Sequence, residues 1–148
     1  MGEIQSIENI LVDRGYTSIS LNKSILGHFE IEVSLDGQLV LMLLDTGATK
    51  SVLHTETAKS LKLELAHESE GGGGLGVSKA TVNSTLINEI KIGPLIITSF
   101  NMFIMDFSHP IKSIVDRGGN LIDGVIGADI LESKAAVIEY KEAKLYLK

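Results

Sequence analysis

The sequence predicts a mainly β fold on three observations. Apolar and polar residues alternate strictly from Phe29 to Leu35, short apolar runs are closed by turn pairs at Asp36-Gly37 and Gly93-Pro94, and the C-terminal "AAVIEYKEAKLYLK" reads as two strands around a tight turn. The 148 residues are expected to form one domain, which buries about two thirds of its unfolded surface and needs no staple.

In chain order, Ile4, Ile7, Ile10 and Leu11 recur at roughly helical spacing ahead of Gly15, predicting a short amphipathic helix from about Glu3 to Arg14 that packs on the domain edge. Phe29, Ile31, Val33 and Leu35 then alternate with Glu30, Glu32 and Ser34, the pattern of a strand with one wet face. Asp36-Gly37 suits a two-residue hairpin, because both residues tolerate the positive φ such turns demand. The return strand, "QLVLMLL", reads as buried on both faces and delivers Asp45 to a loop.

A short helix is expected to start near Thr55, and a glycine-rich tract follows in "ESEGGGGLGVSKATV". Ile90 and Ile92 alternate with Glu89 and Lys91 before the Gly93-Pro94 turn, and "LIITSFNMFIM" gives one or two more strands. Residues 106–122 carry mixed turn signals and read as a long surface connection. "DGVIGADILES" is an apolar strand ending at Gly127 and running into a helical turn; Ala136–Tyr140 and Lys144–Leu147 complete a total of seven to nine strands.

Composition narrows the function. A net charge of −6 with no basic stripe argues against nucleic acid as a partner, and no apolar run reaches the roughly 18 residues of a membrane span. The first residues show neither a basic n-region nor an unbroken apolar h-region, so the expected compartment is the cytoplasm. Cysteine is absent, which removes thiolate nucleophiles and Cys-based zinc sites.

Motif by motif, most chemistry falls away. Gly71, Gly73 and Gly76 spell G-x-G-x-x-G, yet "AHESE" precedes them and β-like "SKATV" follows, so the strand-then-helix context of a dinucleotide site is missing. Val77-Ser78 stands where a phosphate loop would need its lysine. His28, His54, His67 and His109 show no metal-ligand spacing and read as ordinary solvated histidines; no metal and no cofactor is expected. No serine sits in a G-x-S-x-G elbow, and Asp106, Asp116 and Asp123 read as solvated loop residues.

Asp45 is different, because a carboxylate ending an apolar strand is costly without a partner or a task. The ordered set "LLDTGATKSV", a glycine-rich tract, "DGVIGADIL" and "AVIEYKEAKLYL" resembles the retropepsin-like aspartic proteases, especially the single-domain bacterial and retrotransposon-type branch. The resemblance covers about residues 28–148, leaving residues 1–27 as an extension with its own short helix. It implies a closed β-barrel of the acid protease fold, with one short helix near the C-terminal half besides the N-terminal one.

What the resemblance implies chemically is an aspartic endopeptidase acting on peptide or protein substrates as a homodimer. Family members bring two Asp-Thr-Gly loops together across a two-fold axis, where two carboxylates about 3 Å apart share one proton. This chain has one such loop, since Asp36-Gly37 and Asp123-Gly124 lack the intervening residue. Asp45 is therefore the expected catalytic residue, with Thr46, Gly47 and Ala48 supporting the loop. Alanine at 48 cannot donate a hydrogen bond to the dyad, as a hydroxyl residue would in pepsin-like relatives, so activity is expected to extend toward neutral pH. Gly71, Gly72, Gly73, Gly74, Leu75, Gly76 and Val77 correspond to the substrate-covering flap, and Val125, Ile126 and Gly127 to the strand beneath the catalytic loop. Thr49 and Ala128 stand where viral members often carry an Asp and an Arg that pair near the dimer interface. The alternative is a catalytically weak or inactive peptide-binding or dimerisation module of the same fold.

Overall fold

The computed structural model describes residues 6–68 and 82–148, and the glycine tract 71–77 lies outside them. Its first helix, α1 (Ile7–Asp13), is shorter than the periodicity predicts; the Ser6 hydroxyl accepts the Asn9 N–H at 3.1 Å and caps it. None of its residues is buried.

The strands follow as β1 (Thr17–Ser20), β2 (Asn22–Lys23), β3 (Phe29–Leu35), β4 (Gln38–Leu44) and β5 (Val52–His54). α2 (Thr55–Ser60) and β6 (Ala66–Glu68) precede two eleven-residue strands, β7 (Val82–Ile92) and β8 (Leu95–Met105). α3 (Ser108–Asp116), β9 (Gly124–Ile126), α4 (Ala128–Ser133), β10 (Val137–Glu139) and β11 (Lys144–Leu147) complete the chain.

Hydrogen bonding runs β3-β4-β9-β5-β8-β7, and β7 returns to β3 through Ser34↔Lys91 and Leu35↔Ile90, closing a six-stranded barrel with β2 and β6 at its margins. The Asp36-Gly37 turn helps close it. Both residues take positive φ, 47° and 85°, and the Asp36 carboxylate accepts the Glu89 N–H at 2.8 Å while Asp36 N–H donates to Glu89 O at 2.9 Å. A separate sheet, β1-β11-β10, ties Thr17–Ser20 to the C-terminal strands with Thr17 opposite Leu147.

Inside the barrel Val33, Leu35, Met42, Leu53, Ile87, Ile90 and Met102 have no exposed surface. Each such side chain contributes roughly 1.5–3 kcal/mol of burial, and together they fix the strand register, since a slip of one residue would turn the set outward.

Three sequence expectations change here. Glu30 does not lie on a wet face: it is 1% exposed, and Asn120 Nδ2 donates to its Oε2 at 2.9 Å. β4 is not buried on both faces; Val40 and Met42 point inward, whereas Leu39 is 72% exposed and Leu41 and Leu43 are half-buried. Of the one or two strands expected in "LIITSFNMFIM" there is one, paired with β7 around the expected Gly93-Pro94 turn, in which Gly93 has φ 56°. Residues 106–122 are not all connection: nine of them form α3, whose Ile111 is buried.

Candidate active site

β4 and β9 run parallel, with Leu43 opposite Val125 and Leu44 opposite Ile126. That ladder continues one step past the strand, where Asp45 N–H donates to Ile126 O at 3.0 Å, so the loop begins in a fixed direction. Within it the Asp45 carboxylate Oδ1 accepts the Gly47 N–H at 2.9 Å, and Ala48 N–H donates to Asp45 O at 3.2 Å. A Cβ on Gly47 would stand 3.2 Å from Asp45 Oδ1, tighter than most side-chain contacts.

The far side of the loop is held by the strand and helix that follow Ile126. Ala48 O accepts the Ala128 N–H at 2.7 Å, and Thr49 O accepts the Asp129 N–H at 3.2 Å. Thus Thr49 and Ala128 both contribute backbone bonds that hold the loop. A Cβ on Gly127 would meet Ala48 O at 2.6 Å and Lys50 O at 2.8 Å, so no larger residue fits without moving backbone. Gly124 is as tight, with Val52 O only 2.2 Å from the place a Cβ would occupy.

Beneath the loop, Ser51 is fully buried; its hydroxyl donates to Asp129 Oδ1 at 2.6 Å and accepts the Gly127 N–H at 2.9 Å. The same carboxylate accepts the Ser51 and Ile130 N–H groups. Neither Ser51 nor Asp129 stands out in the sequence; a hydroxyl four residues past the Asp-Thr-Gly and an Asp two past the later Gly were the available signal.

Asp45 is half-buried, while Thr46 and Gly47 are exposed, so the loop presents its tip at the surface. Among the described residues no basic nitrogen lies within 4 Å of the Asp45 carboxylate, and no cluster of His, Asp and Glu is arranged to hold a metal. Beside Asp45 opens an apolar pocket of about 200 Å³, lined from the barrel by Leu43 and Val125, by Ile122 just ahead of β9, and from the α3 segment by Phe107, Ile111 and Ile114.

Two residues expected to be solvated are structural here. His54 is 8% exposed and its Nδ1 accepts the Phe107 N–H at 2.9 Å, which assigns the ring proton to Nε2 in the neutral form. Asp123 accepts the Leu41 N–H at 2.9 Å and the Thr57 hydroxyl at 2.8 Å, joining β4 to α2. Asp106 is exposed, as expected, and the Ser108 hydroxyl and then the Ser108 N–H hold its carboxyl below the usual range. Gly71 to Val77 lie outside the described residues, between β6 and β7, which pair antiparallel on either side of them through Glu68↔Val82.

Known proteins match this arrangement at several levels. Residues 31–130 match the family model described as aspartyl protease. A curated relative, an uncharacterized protein in the cobV 5′ region of a Sinorhizobium species, is 32% identical over 101 residues, covering 64% of this chain and 41% of that protein. The chain therefore spans about two fifths of that relative's length. Among solved structures, a retropepsin-like aspartic protease from Rickettsia conorii superposes with a TM-score of 0.57 at 20% identity, covering 90% of this chain and 88% of that one. The retroviral protease-like domain of Ddi1 from Leishmania major gives 0.51 at 17% identity, over 80% and 86% of the two chains. The barrel, the loop it delivers and a family match over about two thirds of the residues lead to one statement: this chain belongs to the aspartyl protease family and has the retropepsin-like fold.

Proposed function

We propose that the chain is an aspartic endopeptidase whose site is completed by a second copy, each contributing one Asp45 to a shared pair. The observation that carries this reading is the placement of the single Asp-Thr-Gly loop. Asp45 is half-buried at the mouth of an apolar pocket, while Thr46 and Gly47 are exposed beside it, so a second loop can approach without unfolding the first.

In that pair one carboxylate is ionised and one protonated. The ionised Asp45 takes a proton from a water whose oxygen attacks the scissile carbonyl carbon, while the protonated Asp45 donates to the carbonyl oxygen. Collapse of the tetrahedral intermediate breaks the C–N bond, the amine leaves with a proton from the dyad, and a carboxylic acid and an amine result. Thr46 is assigned to bridging the two loops, Gly47 to the tight turn, and the segment Gly71–Val77 to covering the bound peptide.

The test is a peptide-library digest read by mass spectrometry, comparing the wild type with Asp45→Asn. Cleavage by the wild type alone is expected; equal cleavage by both removes the reading. Sedimentation checks assembly, and a monomer at every concentration with and without a peptide inhibitor contradicts the shared site. A pH–rate profile extending toward neutrality is expected from Ala48, and one confined below about pH 4 counts against that point. A second reading, an inactive peptide-binding module, draws on Thr49 and Ala128, which leave the loop without the charge pair of some relatives; no cleavage together with retained peptide binding would establish it.

A further inference from the structure

The pocket beside Asp45 has a wall that the barrel does not supply. α3 is tied down at both of its ends by buried polar side chains. Ahead of it, His54 Nδ1 accepts the Phe107 N–H at 2.9 Å. Behind it, Gly118 takes φ 89° and its N–H closes on Val115 O at 3.0 Å, while Gly119 N–H closes on Ile114 O at 2.9 Å, so the helix ends in a tight reversal. Gly119 packs directly under Ile114: a Cβ there would lie 2.6 Å from Ile114 Cγ2. The next residue, Asn120, donates to the buried Glu30 carboxylate at 2.9 Å.

Glu30 sits opposite Leu43 across the β3–β4 ladder, so the two side chains share a face. Leu43 lines the pocket from the barrel side. The Glu30–Asn120 bond therefore joins the barrel wall of the pocket to the segment returning from α3. A carboxylate buried on a strand opposite Leu43 is a poor choice for core packing, and among the described residues it is the side-chain amide of Asn120, 90 positions away, that satisfies it.

We infer that α3 is the substrate-selecting wall of the site, with Ile114 a specificity-determining residue and the Glu30–Asn120 bond the tie that sets how far that wall stands from Asp45. The inference rests on the peptidase reading above and names its substrate class: extended peptides with an aliphatic side chain of about leucine size beside the scissile bond. The volume of about 200 Å³ is below the roughly 300 Å³ at which pockets for whole small molecules begin, and apart from the Asp45 rim its lining is apolar, which fits one hydrocarbon side chain. Glu30 and Asn120 act as positioning residues, since neither lines the pocket.

Binding of an immobilised decapeptide library to full-length Asp45→Asn protein separates selection from turnover. Peptides with leucine at the selected position are expected to bind about 10-fold or more tighter than their alanine counterparts. Ile114→Ala should move the preference to phenylalanine, and Ile114→Phe should move it to alanine. Asn120→Ala should flatten the preference, whereas Glu30→Gln, whose amide oxygen can still accept from Asn120, should keep it. The wild type is assayed for cleavage of the same library. Preferences unchanged in Ile114→Ala, Ile114→Phe and Asn120→Ala overturn the wall even if the wild type cleaves. Shifted preferences without wild-type cleavage leave the wall standing and remove the peptidase.

Discussion

The Ser51 hydroxyl lies 2.6 Å from Asp129 Oδ1, joining two residues 78 positions apart beneath the loop that carries Asp45. The same oxygen of Ser51 accepts the Gly127 N–H, so one buried hydroxyl serves both the loop and the strand under it. Ser51→Ala should lower stability by about 1–3 kcal/mol, because a buried N–H and a carboxylate each lose a partner. Urea unfolding of the variant measures this, and an unchanged midpoint would show that the bond contributes nothing.

Gly127→Ala should be more damaging than most small substitutions. The added methyl would fall 2.6 Å from Ala48 O, and backbone on that side is already held by the Ala128 N–H. Strain of this kind costs typically 1–3 kcal/mol, and here it acts on the loop itself, so activity on peptides should fall further than the melting temperature alone explains. Wild-type turnover by Gly127→Ala at a temperature well below its melting point would contradict this.

Tyr146 should titrate later than an ordinary tyrosine. Its ring is 2% exposed, and burial first, with Glu8 adding to it, raises the phenol above its ordinary value of 10.0. An acid raised on folding is more readily kept neutral in the native state, so its stabilising effect is complete below the unfolded value and is lost as pH rises through the folded one. Absorbance at 295 nm should show a late-titrating tyrosine that Tyr146→Phe abolishes; a titration curve whose late part is unchanged by Tyr146→Phe would refute it.

Lys62 follows α2 with φ 56°, a left-handed position that glycine occupies at no steric cost. Lys62→Gly should raise stability by up to about 1 kcal/mol. A thermal melt shifted downward would mean that the lysine side chain contributes contacts outweighing the backbone relief.

The alternation over 29–35, the Asp36-Gly37 turn, the start of α2 and the two C-terminal strands were legible because each is set by residues near one another in sequence. Asp45 was legible for the same reason, as a carboxylate placed against local pattern. Glu30 and His54 were misread as solvated because alternation and spacing register only neighbours, and what covers them arrives from Asn120 and Phe107, 90 and 53 residues away. The helix α3 was hidden by turn signals, Pro110 within its first turn and the Gly118-Gly119 pair just past its end, that bound the helix rather than forbid it.

The sequence by itself determined that the chain is mainly β, where its strands turn, and which loop carries the Asp-Thr-Gly triplet, since backbone preference and side-chain period are properties of short stretches. Only the tertiary structure decided that β7 closes the barrel onto β3, that Ser51 and Asp129 brace the loop, and that α3 makes one wall of the pocket beside Asp45. Those arrangements depend on hydrogen-bond partners and packed surfaces contributed by residues tens of positions apart, and a local pattern holds no record of which distant group will satisfy a buried donor or acceptor.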